Sequence, residues 1–124
     1  MNRQEVGKLG EQAAQRHLKK NGYRIRETGF RCRYGEIDII AQKKDCIVFV
    51  EVRARTGLDF GSPEESLTGA KKKRLVASAL AYTSTHQDLP PQWRIDVVAV
   101  EFDDRGKVKR IELIENAVEQ DSLF

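Results

Sequence analysis

The feature that most constrains the fold is a pair of apolar, β-branched segments within residues 35–55, GEIDIIAQKKDCIVFVEVRAR, which carry acidic side chains inside them. Near-continuous runs of Ile and Val are typical of strands that are buried on both faces. The polar residues Lys43, Lys44 and Asp45 separate the two runs and predict a turn. The segment is therefore predicted to be a β-hairpin inside a sheet.

A two-residue turn at Lys44-Asp45 would place Asp38 directly opposite Glu51. The Cβ atoms of facing residues lie about 4.5–5.5 Å apart. Two carboxylates this close repel each other and lose solvation, and a divalent cation between them removes both penalties. The same register pairs Glu36 with Arg53 and puts all four side chains on one face. Two alternatives stay open: a salt-bridged patch at a sheet edge, and a one-residue slip that separates the acids.

This pattern of acids resembles the PD-(D/E)XK nuclease signature, in which an acid on one strand and a (D/E)-x-K tripeptide on the next bind a catalytic metal. Asp38 matches the first acid, and Glu51-Val52-Arg53 matches the tripeptide. The chain is also similar to the YraN-like family of uncharacterised bacterial proteins, which resemble archaeal Holliday-junction resolvases. The matching segments span nearly the whole chain: GKLGEQAAQRHLKKNGY, GEIDIIA, VFVEVRAR, FGSPEESLTGAKKKRL and WRIDVVAV.

The resemblance implies a restriction-endonuclease-like fold and metal-dependent hydrolysis of phosphodiester bonds in DNA, including branched or otherwise structured DNA. Asp38 and Glu51 would then be catalytic and would hold Mg²⁺ or Mn²⁺, which prefer carboxylate and water ligands. Arg53 stands in place of the signature lysine. Because arginine in practice keeps its proton, Arg53 could stabilise negative charge but could not act as a general base. A catalytically silent nucleic-acid-binding module therefore remains the alternative function.

Two further acids are candidates for the same site. Glu11 lies on the flank of the apolar stripe of the first helix, and the resemblance implies that a glutamate there is an extra metal ligand; the alternative is an ordinary solvated side chain. Asp96 interrupts the apolar strand IDVVAV, and a buried aspartate needs partners. We expect a structural pair with Arg94 or Arg53, with a place beside the metal as the second interpretation.

The pattern along the chain predicts five strands and two helices in the order α-β-β-β-α-β-β, within a single domain over residues 1–124. The first helix is predicted at residues 3–20, with Asn2 as N-cap and Gly22 as C-cap. Ser62-Pro63-Glu64-Glu65 predicts a second helix start, with a break at Gly69 and an end near residue 84. The other segments are a short strand at 23–27, a loop at 56–62, and strands at 93–102 and 108–114. This order predicts a mixed sheet flanked by helices, with a crossover through the second helix.

Basic side chains are grouped around the predicted site although the formal net charge is only +3. Cations near a metal site would neutralise phosphates, whereas a solvated helix face is the alternative for the lysine run. Few aromatic residues accompany them, which favours backbone contacts to DNA over stacking on single strands. It also disfavours a third function, an acid/base pair acting on a sugar. The candidate nucleic-acid-binding residues are Arg33, Arg53, Arg55, Lys71, Lys72, Lys73 and Arg74.

The composition gives three weaker expectations about location and assembly. No apolar run approaches the length of a membrane span, and the N-terminal MNRQEVGKLGEQ lacks an apolar signal core. A cytoplasmic location is therefore expected. Cys32 and Cys46 are too few and too distant for a zinc motif, so we expect free thiols. A homodimer is left open.

Overall fold

The computed structural model describes residues 1–57 and 61–118. Its elements are helix α1 (Arg3–Lys20), strands β1 (Arg24–Cys32), β2 (Gly35–Lys43) and β3 (Cys46–Thr56), a 3₁₀ helix (Pro63–Ser66), helix α2 (Gly69–Thr85), and strands β4 (Gln92–Phe102) and β5 (Val108–Val118). The strands form one sheet in the order β1-β2-β3-β4-β5. Neighbours are antiparallel except for β3 and β4, which are parallel and joined by the crossover through α2. The predicted element order and mixed sheet are confirmed.

The ends of the helices follow local capping chemistry. The Asn2 side chain accepts a hydrogen bond of 2.9 Å from the Glu5 backbone N–H, as predicted. At the other end of α1 the C-cap is Asn21 rather than Gly22, and Gly22 follows it with a φ of +88°. Ser62 is the N-cap of the 3₁₀ helix and Pro63 is its first residue, as predicted, but the Ser62 side chain makes no capping hydrogen bond. The 3₁₀ helix is the short lead-in expected before Gly69, and Thr68 caps α2.

The outer strands are longer than predicted. β1 runs to Cys32 instead of ending near residue 27, and β5 runs to Val118 instead of ending near 114. Both are edge strands with many exposed charged residues, so their pattern resembles that of a loop. Each also has a register shift in its pairing, one between Ile25 and Glu27 in β1. Within the expected loop at 56–62, residues 58–60 lie outside the described residues.

The two helices pack on opposite faces of the sheet. The core on the α1 side includes Leu18, Ile39 and Val50, and the core on the α2 side includes Phe49 and Tyr82. Successive residues of β3 alternate between the two cores, as expected for a strand that is buried on both faces. Glu51 therefore belongs to the α2 side of the sheet.

Gly10 allows α1 to approach β3 closely. A Cβ atom at Gly10 would lie only 2.6 Å from the Cβ atom of Ala54 and 3.7 Å from a methyl group of Val52. Any larger residue would push the helix away from the sheet. The next residue in α1 is Glu11, so this approach fixes the distance of a candidate acid from the C-terminal half of β3.

In the described part of the chain, no helix combines the length and the apolar character that crossing a bilayer requires. Cys32 and Cys46 are both free, as predicted.

Candidate carboxylate site

The β2–β3 hairpin has the predicted register. Its pairs run from Lys43–Cys46 to Ile39–Val50, where the backbone ladder ends. Beyond that point a side chain replaces the backbone partner in β2: the Oδ2 atom of Asp38 accepts a hydrogen bond of 2.8 Å from the backbone N–H of Val52. Asp38 thus meets Glu51 where the regular pairing of the two strands stops.

Glu36 lies outside this site, so its expected pairing with Arg53 is wrong. Glu36 faces Arg31 of β1 in the sheet register, and its carboxylate lies 3.8 Å from the Arg31 Nε atom. The cause is the end of the β2–β3 ladder, after which β2 stays paired with β1 alone. Glu36 is exposed and forms a surface ion pair.

Glu51 is the most buried acid of the site, with only 2% of its surface exposed. Its Oε2 atom lies 2.9 Å from the Lys71 ammonium and 3.4 Å from Nη1 of Arg53. Lys71 comes from the first turn of α2 and Arg53 from the same strand as Glu51. Two cations thus converge on one carboxylate oxygen, which compensates the charge of a buried glutamate.

Asp38 is held in a different electrostatic state. Its pKa is raised to about 9, chiefly by burial and then by a side-chain hydrogen bond to Glu51 and by the negative charge of Glu51. The hydrogen bond from the Val52 N–H acts the other way, and the charge of Glu11 adds a small upward contribution. At neutral pH Asp38 is therefore protonated, and its hydroxyl group donates a hydrogen bond to the Glu51 carboxylate.

The charge of Glu11 makes the smallest of the contributions that raise the pKa of Asp38, and its role as a metal ligand stays a prediction. Within residues 1–57 and 61–118, no group of three or more His, Cys, Asp or Glu side chains is placed so that it could hold a metal ion. The chemistry of the donors nevertheless fits Mg²⁺ or Mn²⁺, because the pair shares a proton where a cation would let both acids ionise. Asp38 and Glu51 are thus the residues that could hold such an ion, with Glu11 beside them.

The guanidinium of Arg53 is fixed by a residue that sequence reasoning missed. Its Nε and Nη2 atoms donate hydrogen bonds of 2.9 and 2.7 Å to Oγ of Ser66, in the 3₁₀ helix. That helix is in turn held by Arg110 of β5, which donates two hydrogen bonds to Glu64, at 2.7 and 3.1 Å. These contacts lower the pKa of Glu64. No spacing or pattern in the sequence indicated that Ser66 would reach Arg53.

Asp96 has a structural role, as expected, and lies on the opposite face from Glu51. It pairs in the sheet with Val50, which belongs to the α1 core. Arg94 Nε donates to both of its carboxylate oxygens, at 3.1 and 3.0 Å, and the Asn116 N–H donates at 3.0 Å. Burial raises the pKa of Asp96 despite these partners. The interpretation that Asp96 lies beside the metal site is therefore not supported.

The candidate nucleic-acid-binding residues fall into two groups. Lys71 enters the carboxylate site, and Arg74 lies further along α2, where its Cβ atom would be 3.7 Å from a Cβ atom at Gly35, the first residue of β2. Arg33 lies in the β1–β2 turn, where its guanidinium carbon is 4.8 Å from the centre of the Tyr34 ring. Lys72 is partly exposed and Lys73 is exposed.

The second group lines a groove at the other end of the site. This groove has a volume of about 780 Å³ and lies between the start of α1 and the end of β3. Arg3, Arg53 and Arg55 contribute to its wall, together with Ser66. Arginine side chains therefore continue from the buried carboxylates to the open groove.

The fold and the site define a mixed α/β protein in which a buried glutamate and a partly buried aspartate, flanked by cations, lie together at the end of the central hairpin. The model of the Uncharacterised protein family UPF0102 matches residues 10–100. A UPF0102 protein of Pelotomaculum thermopropionicum is 47% identical over 115 residues, which cover 93% of this chain and 96% of the relative. A UPF0102 protein of Roseiflexus castenholzii is 46% identical over 120 residues, covering 95% and 96%. The chain belongs to the UPF0102 family, which confirms the predicted YraN-like membership.

Proposed function

We propose that this protein is a Mg²⁺- or Mn²⁺-dependent endonuclease that hydrolyses phosphodiester bonds in DNA, including branched or otherwise structured DNA. The observation that carries the proposal is the proton-sharing pair of Asp38 and Glu51 at the end of the β2–β3 ladder. A divalent cation is the partner that would allow both carboxylates to ionise in this position.

A purely structural patch explains this site less well. In a salt-bridged patch each acid would have a cationic partner. In the part of the chain that the structure describes, ion pairs reach Glu51 but not Asp38. Asp38 instead contacts another acid and a backbone N–H. Its arrangement therefore disfavours the interpretation as a stabilising ion-pair network.

In the proposed mechanism Asp38 and Glu51 hold the ion, and Glu11 contributes from α1. The bound ion would lower the pKa of a water molecule and neutralise charge on the scissile phosphate. Arg53 holds a fixed positive charge beside Glu51, because Ser66 orients its guanidinium. This fixed charge lies 3.4 Å from Oε2 of Glu51 and keeps that carboxylate in place. Arg53 has no role as a base, since it does not release its proton.

The basic side chains support DNA as the substrate. Lys71 and Arg74 extend along α2 on one side of the acids, and Arg3 and Arg55 line the groove on the other side. A phosphate backbone that passed over Glu51 would contact cations on both sides. The second candidate function, a silent nucleic-acid-binding module, is favoured by Arg53 standing where the signature has lysine.

The test is cleavage of linear, nicked, flapped and four-way branched DNA with Mn²⁺ and with EDTA. We expect cutting that requires Mn²⁺ and is lost in Glu51→Gln. Glu36→Gln is the matched control, because Glu36 is an acid of the same hairpin that pairs with Arg31 outside the site. Cleavage that survives EDTA, or that persists undiminished in Glu51→Gln, would refute the mechanism. DNA binding without any cleavage would establish the silent module.

A further inference from the structure

We infer that Lys71 of α2, rather than Arg53 of β3, is the cation that acts on the scissile phosphate and the attacking water. The inference rests on the proposed nuclease function and deepens it by assigning the lysine of the site. It starts from one contact, in which the Lys71 Nζ atom lies 2.9 Å from Oε2 of Glu51. The same oxygen is 3.4 Å from Arg53. Glu51 thus contacts a lysine from α2 as well as Arg53 from its own strand, β3.

The two cations differ in what their donors already contact. The Nε and Nη2 atoms of Arg53 both donate to Ser66, and Nη1 points to Glu51, so its fork is committed to protein partners. The Lys71 ammonium has three donors, and its side chain is 38% exposed, compared with 25% for Arg53. One of the lysine donors can bind Glu51 while another reaches a phosphate oxygen or a water at the open side of the site.

The position of Lys71 in α2 gives a second, independent argument. Lys71 is the third residue of the helix, and its backbone N–H donates to the capping Thr68 hydroxyl at 3.2 Å. Cations in the first turn oppose the helix dipole. The first turn of α2 contains no acid, whereas α1 has the usual arrangement with Glu5 at its start and Lys19 near its end. A helix start that is locally unfavourable for stability is typical of a functional site.

These contacts give Lys71 and Arg53 different roles in the proposed reaction. The Lys71 side chain binds Glu51 and donates a hydrogen bond to the reacting oxygen atoms when DNA is present. Arg53 is a positioning residue, which keeps the Glu51 carboxylate in place and connects it to Ser66. The signature lysine is then supplied in space by a different element of the chain.

The experiment compares Lys71→Met, Arg53→Met and Lys19→Met. Lys19 is the matched control, because it is an exposed helical lysine that carries the same charge and lies in the last turn of α1, outside the site. Single-turnover cleavage is measured at saturating branched DNA with Mn²⁺, so that weaker DNA binding does not lower the rate. We expect Lys71→Met to cleave about 100-fold more slowly or worse, as for the loss of a donor to developing charge. Lys19→Met should stay within about twofold of the wild type, and Lys71→Arg should recover part of the rate.

Calorimetric titration with Mn²⁺ in the absence of DNA provides a readout besides activity. Lys71→Met should bind Mn²⁺ at least as tightly as the wild type, because it removes a cation that competes for Glu51, whereas Glu51→Gln should lose binding. If Lys71→Met cleaves as fast as Lys19→Met, Lys71 only compensates the charge of Glu51, and the inference is overturned while the nuclease function stands. A larger loss in Arg53→Met than in Lys71→Met, or a loss of Mn²⁺ binding in Lys71→Met, would also overturn it. A wild type that cuts no substrate would overturn the proposed function itself.

Discussion

The raised pKa of Asp38 predicts an unusual pH dependence of stability in the metal-free protein. The folded protein holds the Asp38 proton up to about pH 9, whereas the unfolded chain releases it near the ordinary value of 3.8. Unfolding between these values therefore releases a proton. Because the folded-state pKa is the higher one, this contribution to stability is fully present below about pH 4. It is lost progressively as the pH rises towards 9.

The magnitude follows from one proton per molecule. A group that releases one full proton on unfolding lowers the free energy of unfolding by about 1.4 kcal/mol per pH unit. The upper limit between pH 6 and pH 8 is then about 2.7 kcal/mol. Asp38 is only partly shielded from solvent, so we expect about 1–2 kcal/mol. For a domain of this size that corresponds to a decrease of several degrees in Tm.

The assay is thermal unfolding of the wild type, Asp38→Asn and Glu36→Gln at pH 6, 7 and 8 in EDTA. The amide of Asp38→Asn can still donate to Glu51 and accept from Val52, but it carries no titrating proton. We expect its stability to vary less with pH than that of the wild type, and to be higher at pH 8. Glu36→Gln should keep the wild-type slope, because Glu36 is exposed and outside the site. Other titrating groups are common to all three proteins and cancel in the difference.

Mn²⁺ provides the complementary measurement. An ion that binds the carboxylate pair displaces the shared proton, so the wild type should gain stability from Mn²⁺, and more so at pH 8 than at pH 6. Asp38→Asn should lack this gain. If the wild type and Asp38→Asn gave parallel curves of stability against pH in EDTA, the shared proton of the carboxyl pair would be refuted.

Two further predictions concern the approach of α1 and the surface of α2. Gly10→Ala should destabilise the protein by about 1–3 kcal/mol, because its Cβ would lie 2.6 Å from that of Ala54. Gly7→Ala, where a Cβ meets no heavy atom within 4 Å, should be neutral or stabilising by up to about 1 kcal/mol in the same thermal melts. DNA affinity should fall steeply with salt, and replacing Lys72 and Lys73 with Ala should lower the slope of log affinity against log salt by up to about two. An unchanged slope in fluorescence titrations would show that this face of α2 does not contact phosphates.

The sequence was sufficient to predict the hairpin, because its information is local. Two apolar runs and a polar two-residue turn determine which residues face each other, and Lys44 takes the left-handed φ of +54° that such a turn requires. The pairs from Ile39–Val50 to Lys43–Cys46 are confirmed. The extrapolation to Glu36 failed because a side chain, that of Asp38, replaces the next step of the ladder. No local sequence pattern predicts that the Asp38 side chain replaces a backbone hydrogen-bond partner at this point.

The acids and the cations of the site differ in how far they could be predicted. Asp38 and Glu51 are conspicuous because acids rarely interrupt buried strands. Lys71, by contrast, belongs to a run of four similar cations, and only its place in the first turn of α2 brings it to Glu51. Ser66 reaches Arg53 because the 3₁₀ helix crosses over the end of β3. These contacts depend on the three-dimensional path of the crossover between β3 and β4, which the hydrophobic periodicity of the sequence does not indicate.

The two edge strands described above also affect how copies of this protein behave towards each other. An open sheet offers unpaired backbone groups on β1 and β5, which could template the addition of a strand from another molecule. β1 carries exposed Arg24, Arg26 and Arg31, and both strands have register shifts that interrupt a flat edge. Charge and irregular pairing of this kind oppose edge-to-edge aggregation. Growth of the sheet from one molecule into the next is thus disfavoured, and a dimer of this protein would need to bury a different surface.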